Sequence, residues 1–589
     1  MTEELVQVHS PEPAASRFAA RVDDMLRINS SELFADLASG PMSYANCQER
    51  MYAHCGAFAQ IGLTAGDRAL IRSKNDSQVI TLFLAMLRTG ITPVIADAGA
   101  TNAECADLAR HCEIRAAFAD QTFPVLPEVE LVAIEADGLI NSRLEGSHPT
   151  NFPKMPTAET ALLVLTSGTT STPKAVQLTY ANLIAQLDIF EEVYGFGPGI
   201  RLLNLLPLHH VDGLIRGPLS ALWFGGSVHR SRSFSMQAVP GILEEVASKR
   251  ITHLISVPAM LRIIERAGAD HPTAFNTPDF RFVLSSADML DAALWRRFEE
   301  RFSVSVANAY GLSEVVCDAL FAGPESETRH IGTLGRAVGC SALLINDAGI
   351  EVAAGETGEL VLSGPTVMQG YFNAPEVTGS VLKSGSFYTG DYMRINESGL
   401  FEFVGRKKTS IVSAGNTIHP EAATQVLSSM PGVLEAVAFG VPDEAMGERL
   451  VAAVVISPAH TISEADLAAH CRLSLSAERA PREYHIVDSL PRGASGKVKL
   501  EELAMLSRET AAPKLDVLSI AAKCFNVPVE TLSMASNPYN TTGWDSLAHL
   551  QLIEAVEHAY KIQFSPMQIA QILCLGDLND CLGEALKTA

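Results

Sequence analysis

No two cysteines in this chain stand in C-x2-C spacing. The ten thiols are scattered, among them Cys47, Cys55, Cys105, Cys112, Cys317 and Cys340. Such placement offers no tetrahedral zinc cluster and fits an enzyme of the reducing cytoplasm. No run of 18 or more apolar residues occurs, so no membrane span is expected. The first residues, MTEELVQVHSPEPAAS, are acidic and lack an apolar core, so no secretory signal is expected. Positive charge is scarce: 44 Lys and Arg against 67 Asp and Glu leave a net charge of −23. That excludes nucleic acid as a partner, because phosphate backbones need clustered cations. An anionic ligand must then be met by a local site rather than by the global field. Internal repeats and low-complexity tracts are absent as well.

What is present points to several folded domains. A chain of 589 residues is too long for one core, while 47% hydrophobic and 19% charged residues are ordinary for folded protein. Residues 1–404 alternate short apolar runs with helical spacing: Ala161–Leu165, Arg281–Leu284 and Ser303–Ala307 read as strands, and Asn182–Tyr194 reads as a helix. This pattern predicts a large α/β domain of layered sheets and helices, with Glu359–Leu362 and Phe401–Val404 as later antiparallel strands. The basic turn Gly405–Lys408 marks a boundary, and residues 405–506 read as a small α+β domain with strands at Ala436–Phe439 and Val451–Ile456 and a helix at Glu464–Ser476. Polar residues 507–513, ending in Pro513, read as a linker. Residues 514–589 read as an all-α bundle of four helices, with Leu547, Leu550, Ile553, Val556 and Tyr560 forming one apolar stripe.

The strongest motif is Leu165-Thr166-Ser167-Gly168-Thr169-Thr170-Ser171-Thr172-Pro173-Lys174, read as a loop that leaves a buried strand and enters a helix. Small residues let backbone N–H groups approach phosphate oxygens, the hydroxyls add donors and Lys174 adds charge. It is not a Walker loop, because G-x4-G-K-[ST] is absent. Here the chain resembles the adenylate-forming superfamily of acyl-CoA synthetases, adenylation domains of nonribosomal peptide synthetases, and luciferases. It departs from that family's loop in having Ser171 and Ala175 where glycines are usual; both are small.

The resemblance continues in order along the chain. Tyr310-Gly311-Leu312-Ser313-Glu314 is similar to the family's Y-G-x-[ST]-E, which implies that Tyr310 packs on adenine, Ser313 meets the α-phosphate and Glu314 holds Mg²⁺. Ala287 is implied in the same nucleotide site. Tyr388-Thr389-Gly390-Asp391 resembles T-G-D, with Asp391 and Arg406 on the ribose, and Lys408 occupies the family's hinge position, followed by Thr409 where relatives are often acidic. Pro491–Lys497 resembles the loop whose lysine, here Lys497, swings over the α-phosphate as carboxylate attacks and pyrophosphate leaves.

Leu206–Leu214 resembles the acyl-pocket motif P-L-x-H-x-x-G, and His210 matches its histidine near the carboxylate and the thiol path. Asp212 falls where amino-acid-activating relatives bind the substrate ammonium. Three readings stay open: that role, an i, i+4 pair between Asp212 and Arg216, or an Arg216 fork that grips the second carboxylate of a diacid. The His209-His210-Val211 pattern favours a non-amino acid, with an amino acid as the alternative.

Gly543-Trp544-Asp545-Ser546-Leu547 resembles the G-x-D-S-L signature of acyl and peptidyl carrier proteins, and His549, Leu550, Leu552, Glu554 and Glu557 read as a partner-facing mix. A helix-capping turn is the alternative reading of the serine. The resemblance implies 4'-phosphopantetheine attached to Ser546 by a phosphopantetheinyl transferase. The expected activity is ATP- and Mg²⁺-dependent conversion of a small carboxylic acid to acyl-AMP, then thioester transfer to the chain's own carrier. Downstream carrier-dependent enzymes, as in secondary-metabolite biosynthesis, would be the partners. The alternatives are an amino-acid-activating module, a free acyl-CoA ligase and a non-catalytic carrier scaffold.

Overall fold

The computed structural model describes residues 12–588 apart from 121–122, 124–125, 127, 135–151, 154–158, 167–173, 326–327, 414–415, 444–446, 476–478, 493–497, 512–516, 526, 539, 542–543, 545, 561, 563 and 565. Its large N-terminal part is layered α/β, as the alternating pattern predicts. One sheet has seven strands in the order Gly370–Tyr371, Lys174–Thr179, Thr160–Thr166, Thr92–Ile95, Arg68–Arg72, Ala116–Ala119 and Glu130–Ala133, of which the last five run parallel. A second sheet has nine strands. Six adjacent ones are parallel, Val306–Tyr310, Phe282–Ser285, His253–Ser256, Arg201–Asn204, Ser227–Arg230 and Leu33–Leu37. Parallel strands covered on both faces need nearly continuous apolar sequence, and His253–Ser256 and Phe282–Ser285 are buried throughout. Asp76–Thr89 is a helix buried at every residue from Ser77 on, which places it inside the core.

A third sheet is antiparallel and brings Ser386–Ile395 beside Phe401–Arg406, with Asp391 opposite Arg406. The strand ending at Arg406 therefore belongs to this sheet. The small domain is α+β. Its long hairpin pairs Val433–Asp443 with Gly447–Ile456, and Glu483–Ile486 joins it in parallel. Helices Pro420–Ser428 and Glu464–Ser474 contribute Leu427, Leu467 and Cys471 to its core.

Two sequence expectations change beyond this point. Residues 507–511 are not an extended linker but the last turn of a helix, Leu500–Ala511. Arg508, Glu509 and Ala511 are good helix formers, and the helix stops two residues before Pro513, whose ring cannot continue it. Residues 512–513 lie outside the described residues. Helices Val517–Phe525, Ser546–Tyr560, Pro566–Gln571 and Leu575–Thr588 follow and share an apolar core of Phe525, Trp544, Leu552, Val556 and Leu578 among others. Leu552, read as partner-facing, is buried in that core beside Ile553. Of the expected apolar stripe, Ile553 and Val556 are buried in that core and Tyr560 packs against it, while the side chains of Leu547 and Leu550 lie outside the described residues. Among the described residues no helix is long and apolar enough to cross a membrane.

Candidate active site

One cavity of ≈ 1520 Å³ gathers residues from all three large sheets and from the turn at Lys407 and Lys408. Thr166, Lys174, His210, Asp212, Arg216, Ala287, Gly311, Ser313, Glu314, Asp391, Arg406 and Lys408 all line it. Its described wall carries nine Lys and Arg against seven Asp and Glu, while the whole chain carries −23. The local reversal of sign supplies the anion site that composition alone denied.

At one end, the strand Thr160–Thr166 leaves the sheet and returns antiparallel as Lys174–Thr179, with Thr166 opposite Lys174. The Thr/Ser/Gly loop thus closes a hairpin, and the helix expected straight after it begins only at Tyr180, capped by Thr179 and Asn182. Ser167, Gly168, Thr169 and Thr170 lie outside the described residues, as does Lys497. Lys174 Nζ sits 4.6 Å above the centre of the Tyr371 ring, and the Tyr371 hydroxyl donates to Glu314 Oε1 at 2.7 Å. Glu314 is held on a tight turn, Ser313–Val315, followed by Val316 at φ 68°. A β-branched residue in the left-handed region is strained, and surrounding bonds must hold it there. Gln186 Oε1 does so by accepting from the backbone N–H groups of Cys317 and Asp318 at 3.2 and 3.0 Å. Gly311 is required by close approach, since a Cβ there would lie 1.3 Å from the Cys317 carbonyl oxygen. Ala287 is likewise left-handed, at φ 67°, beside the buried Ser286.

Asp391 sits at the next position along the wall, 2% exposed. Tyr310 donates to its Oδ2 at 2.7 Å, and Arg406 Nε lies 3.1 Å from its Oδ1. Burial, and then the facing carboxylate, push the Tyr310 phenol well above its ordinary range, so it remains a donor. Tyr310 itself is not part of the described wall; it supports that wall through Asp391. Beside Arg406, Lys407 Nζ pairs with Glu359 at 3.1 Å. Thr409 donates to Glu421 Oε1 of the small domain at 2.8 Å.

At the far end, His210 precedes the short helix Val211–Leu214, whose Gly213 lets the turn pack on Pro207: a Cβ there would lie 2.0 Å from the Pro207 carbonyl oxygen. The three readings of Arg216 now narrow. Its guanidinium, 1% exposed, is bonded to Asp212 through Nη1 and to Asp318 through Nη2, and the Tyr194 hydroxyl donates to the other oxygen of Asp318. Nε is buried without a partner. The fork is therefore spent inside the protein, and the i, i+4 pair is real but incomplete, because a second aspartate shares the arginine. Burial raises the Asp318 carboxyl above its usual range, with Arg216 opposing. His209, ring to ring with His210 at 4.2 Å, points Nε2 toward Asp97 at 3.8 Å. Burial lowers its pKa, with Asp97 opposing.

Sequence reasoning missed Tyr371, Asp318 and Asp97. Asp318 lies 102 positions from Arg216, beyond any periodicity argument; Tyr371 follows Gly370 in a two-residue strand too short to register as one. No group of three or more His, Cys, Asp or Glu is placed to hold a metal among the described residues. Glu314 would thus not sit in a cluster of such ligands, which suits Mg²⁺ when phosphate oxygens and water fill most of its positions.

A wall that joins Thr166 and Lys174 of a hairpin, Glu314 and the Asp391–Arg406 pair, on layered α/β sheets followed by a small α+β domain, defines a nucleotide-dependent ligase class. The chain belongs to the AMP-binding enzyme family: the family's model matches residues 33–372, and that of the AMP-binding enzyme C-terminal domain matches residues 425–497. It is an adenylate-forming ligase of the acyl-CoA-synthetase type. A sulfoacetate–CoA ligase of Cupriavidus necator is 31% identical over 455 residues, covering 75% of this chain and 88% of the relative. An oxalate–CoA ligase of Arabidopsis thaliana is 33% identical over 376 residues, covering 63% of this chain and 71% of the relative. The crystal structure of ATP-bound MatB from Rhodopseudomonas palustris superposes with a TM-score of 0.76 at 25% identity, covering 84% of this chain and 99% of that one. Both family matches end by residue 497, so the C-terminal helices stand outside them.

Proposed function

We propose that the protein uses Mg-ATP to activate a carboxylic acid and then passes the acyl group to a thiol carried on its own C-terminal helices. The observation that carries the first half is the single cavity joining Thr166 and Lys174, Glu314, and the Asp391–Arg406 pair to the His210–Arg216 end. The acid's carboxylate oxygen attacks the α-phosphorus, the bond to the β,γ-phosphates breaks, and pyrophosphate leaves with acyl-AMP formed. Lys174 and Lys497 meet the negative charge that grows on phosphoryl oxygens, Glu314 would hold Mg²⁺, and Asp391 with Arg406 would hold the ribose. A thiolate then attacks the acyl carbon beside His210, and AMP leaves with its electron pair.

Ser546 is the first residue of the helix Ser546–Tyr560, within the sequence Gly543–Leu547 and a helical unit with its own apolar core. These features support a 4'-phosphopantetheine arm on Ser546 and loading in cis, where tethering raises the effective thiol concentration. The helix Leu500–Ala511 takes in most of the residues 507–513 read as a linker, so the arm and a turn of the small domain must supply the reach. A biosynthetic setting, with downstream enzymes that take acyl groups from carriers, follows from that arrangement.

A second reading keeps free coenzyme A as the acceptor, since the relatives named above are CoA ligases. A second substrate reading is favoured by the acid end itself: two aspartates share one arginine, leaving excess negative charge where Asp212 lines the cavity. That charge suits an acid bearing an ammonium or hydroxyl donor more than a diacid. Pyrophosphate release over a panel of fatty, aryl, dicarboxylic and amino acids tests the reading. One class should release pyrophosphate in an acid-dependent way; release with none would contradict adenylation.

A further inference from the structure

We infer that Tyr371 is a positioning residue for the metal-and-phosphate end of the cavity, acting through Glu314 and Lys174; the inference rests on the adenylating function proposed above. Tyr371 touches both groups at once. Its hydroxyl donates to Glu314 Oε1 at 2.7 Å, and its ring face lies 4.6 Å from the Lys174 ammonium. A hydrogen bond to one carboxylate oxygen fixes the plane of the other, which is how an outer-shell donor tunes a cation site. A cation above an aromatic face is likewise held in direction as well as in distance.

The backbone around Tyr371 is built as a strap between the two elements. Val176 pairs with Tyr371 and Gln177 with Gly370, so the strap lies on the strand that Lys174 begins. Phe372 N donates to the Ala175 carbonyl at 2.8 Å, and Met368 N donates to the Glu314 carbonyl, also at 2.8 Å. Thr378 locks the tyrosine from behind, accepting from Tyr371 N at 2.9 Å and donating to the Ala374 carbonyl at 2.9 Å. Tyr371 is 7% exposed and lines the cavity. Its ring is thus fixed by packing and backbone bonds, while its polar atom is spent on Glu314.

Two substitutions separate the two contacts. Tyr371→Phe keeps the ring beneath Lys174 and removes only the hydroxyl. Tyr371→Leu removes both. The readout is thermal stabilisation of the protein by ATP across a Mg²⁺ titration, with steady-state KM and kcat alongside. In Tyr371→Phe the Mg²⁺ concentration for half-maximal stabilisation should rise roughly 10-fold or more, with the acid's KM and the ligand-free melting temperature unchanged. Tyr371→Leu should in addition weaken ATP binding at saturating Mg²⁺. If Tyr371→Phe keeps the wild-type Mg²⁺ midpoint, the tyrosine is a packing residue and the inference is overturned. A wild-type protein that gains no Mg²⁺-dependent stabilisation from ATP overturns the adenylating reading, and this inference with it.

Discussion

The Tyr310 hydroxyl donates to Asp391 across 2.7 Å, and Arg406 holds the carboxylate's other oxygen at 3.1 Å. Tyr310 and Asp391 are 81 residues apart in the chain and come from different sheets. The pair fixes a buried carboxylate at the cavity wall. A hydrogen bond to a charged group contributes about 1.5–3 kcal/mol. Asp391→Asn should therefore weaken ATP binding by about that much, measured by calorimetry in Mg²⁺, and leave the acid's KM little changed. Loss of the acid's KM with ATP binding intact would place Asp391 in the wrong subsite.

Arg216 makes a different prediction, because it is buried between two negative neighbours, Asp318, itself buried, and Asp212 at the cavity wall. Removing one partner of a buried ion pair costs about 3–5 kcal/mol, since a charge is left without compensation. Arg216→Ala should lower the stability of the large domain by that order in urea unfolding. Adding Asp318→Asn should recover part of the loss. Asp212→Ala should instead shift the acid preference at near-native stability, because Asp318 still holds Arg216.

Two variants should separate the two chemical steps. Lys497→Ala should slow adenylation roughly 10²–10³-fold, the cost of losing a comparable charge-stabilising donor, while still transferring acyl groups from a supplied acyl-adenylate. Ser546→Ala should release pyrophosphate but retain no acyl group. Pyrophosphate release and mass spectrometry of the C-terminal segment read the two effects independently.

Acid should destabilise the fold in a defined window. Burial lowers the pKa of His54 and of His253 to about 3, against an ordinary value near 6.5 in the unfolded chain. Between those values the unfolded chain binds protons that the folded one refuses, so stability falls as pH drops below about 6.5. From pH 7 to pH 5 each histidine should remove about 1–2 kcal/mol. Urea midpoints at the two pH values check this, and a His54→Gln, His253→Gln variant should lose that share of the slope.

Much of the fold was readable because local pattern decided it. The apolar run Ala161–Leu165 is a strand of the mixed seven-stranded sheet, buried from Ala161 to Val164, and the spacing of Asn182–Tyr194 is that of the helix found. Lys174, Glu314, Asp391 and Arg406, singled out by short motifs far apart in the chain, do line one cavity. Pairing across distance was not readable. The hairpin return at Lys174, the second aspartate on Arg216 and the hydroxyl on Glu314 all depend on which strands lie side by side. The helix Leu500–Ala511 was hidden because Ser507 and Thr510 read as linker residues, while their neighbours favour helix.

The most direct measurement is the intact mass of the phosphopantetheinylated protein after one turnover with ATP, Mg²⁺ and its acid. The account predicts a mass gain equal to the acyl group, confined to the segment containing Ser546, with one AMP and one pyrophosphate formed per acyl group. AMP and pyrophosphate formed only when free coenzyme A is added, with that segment's mass unchanged, would contradict it.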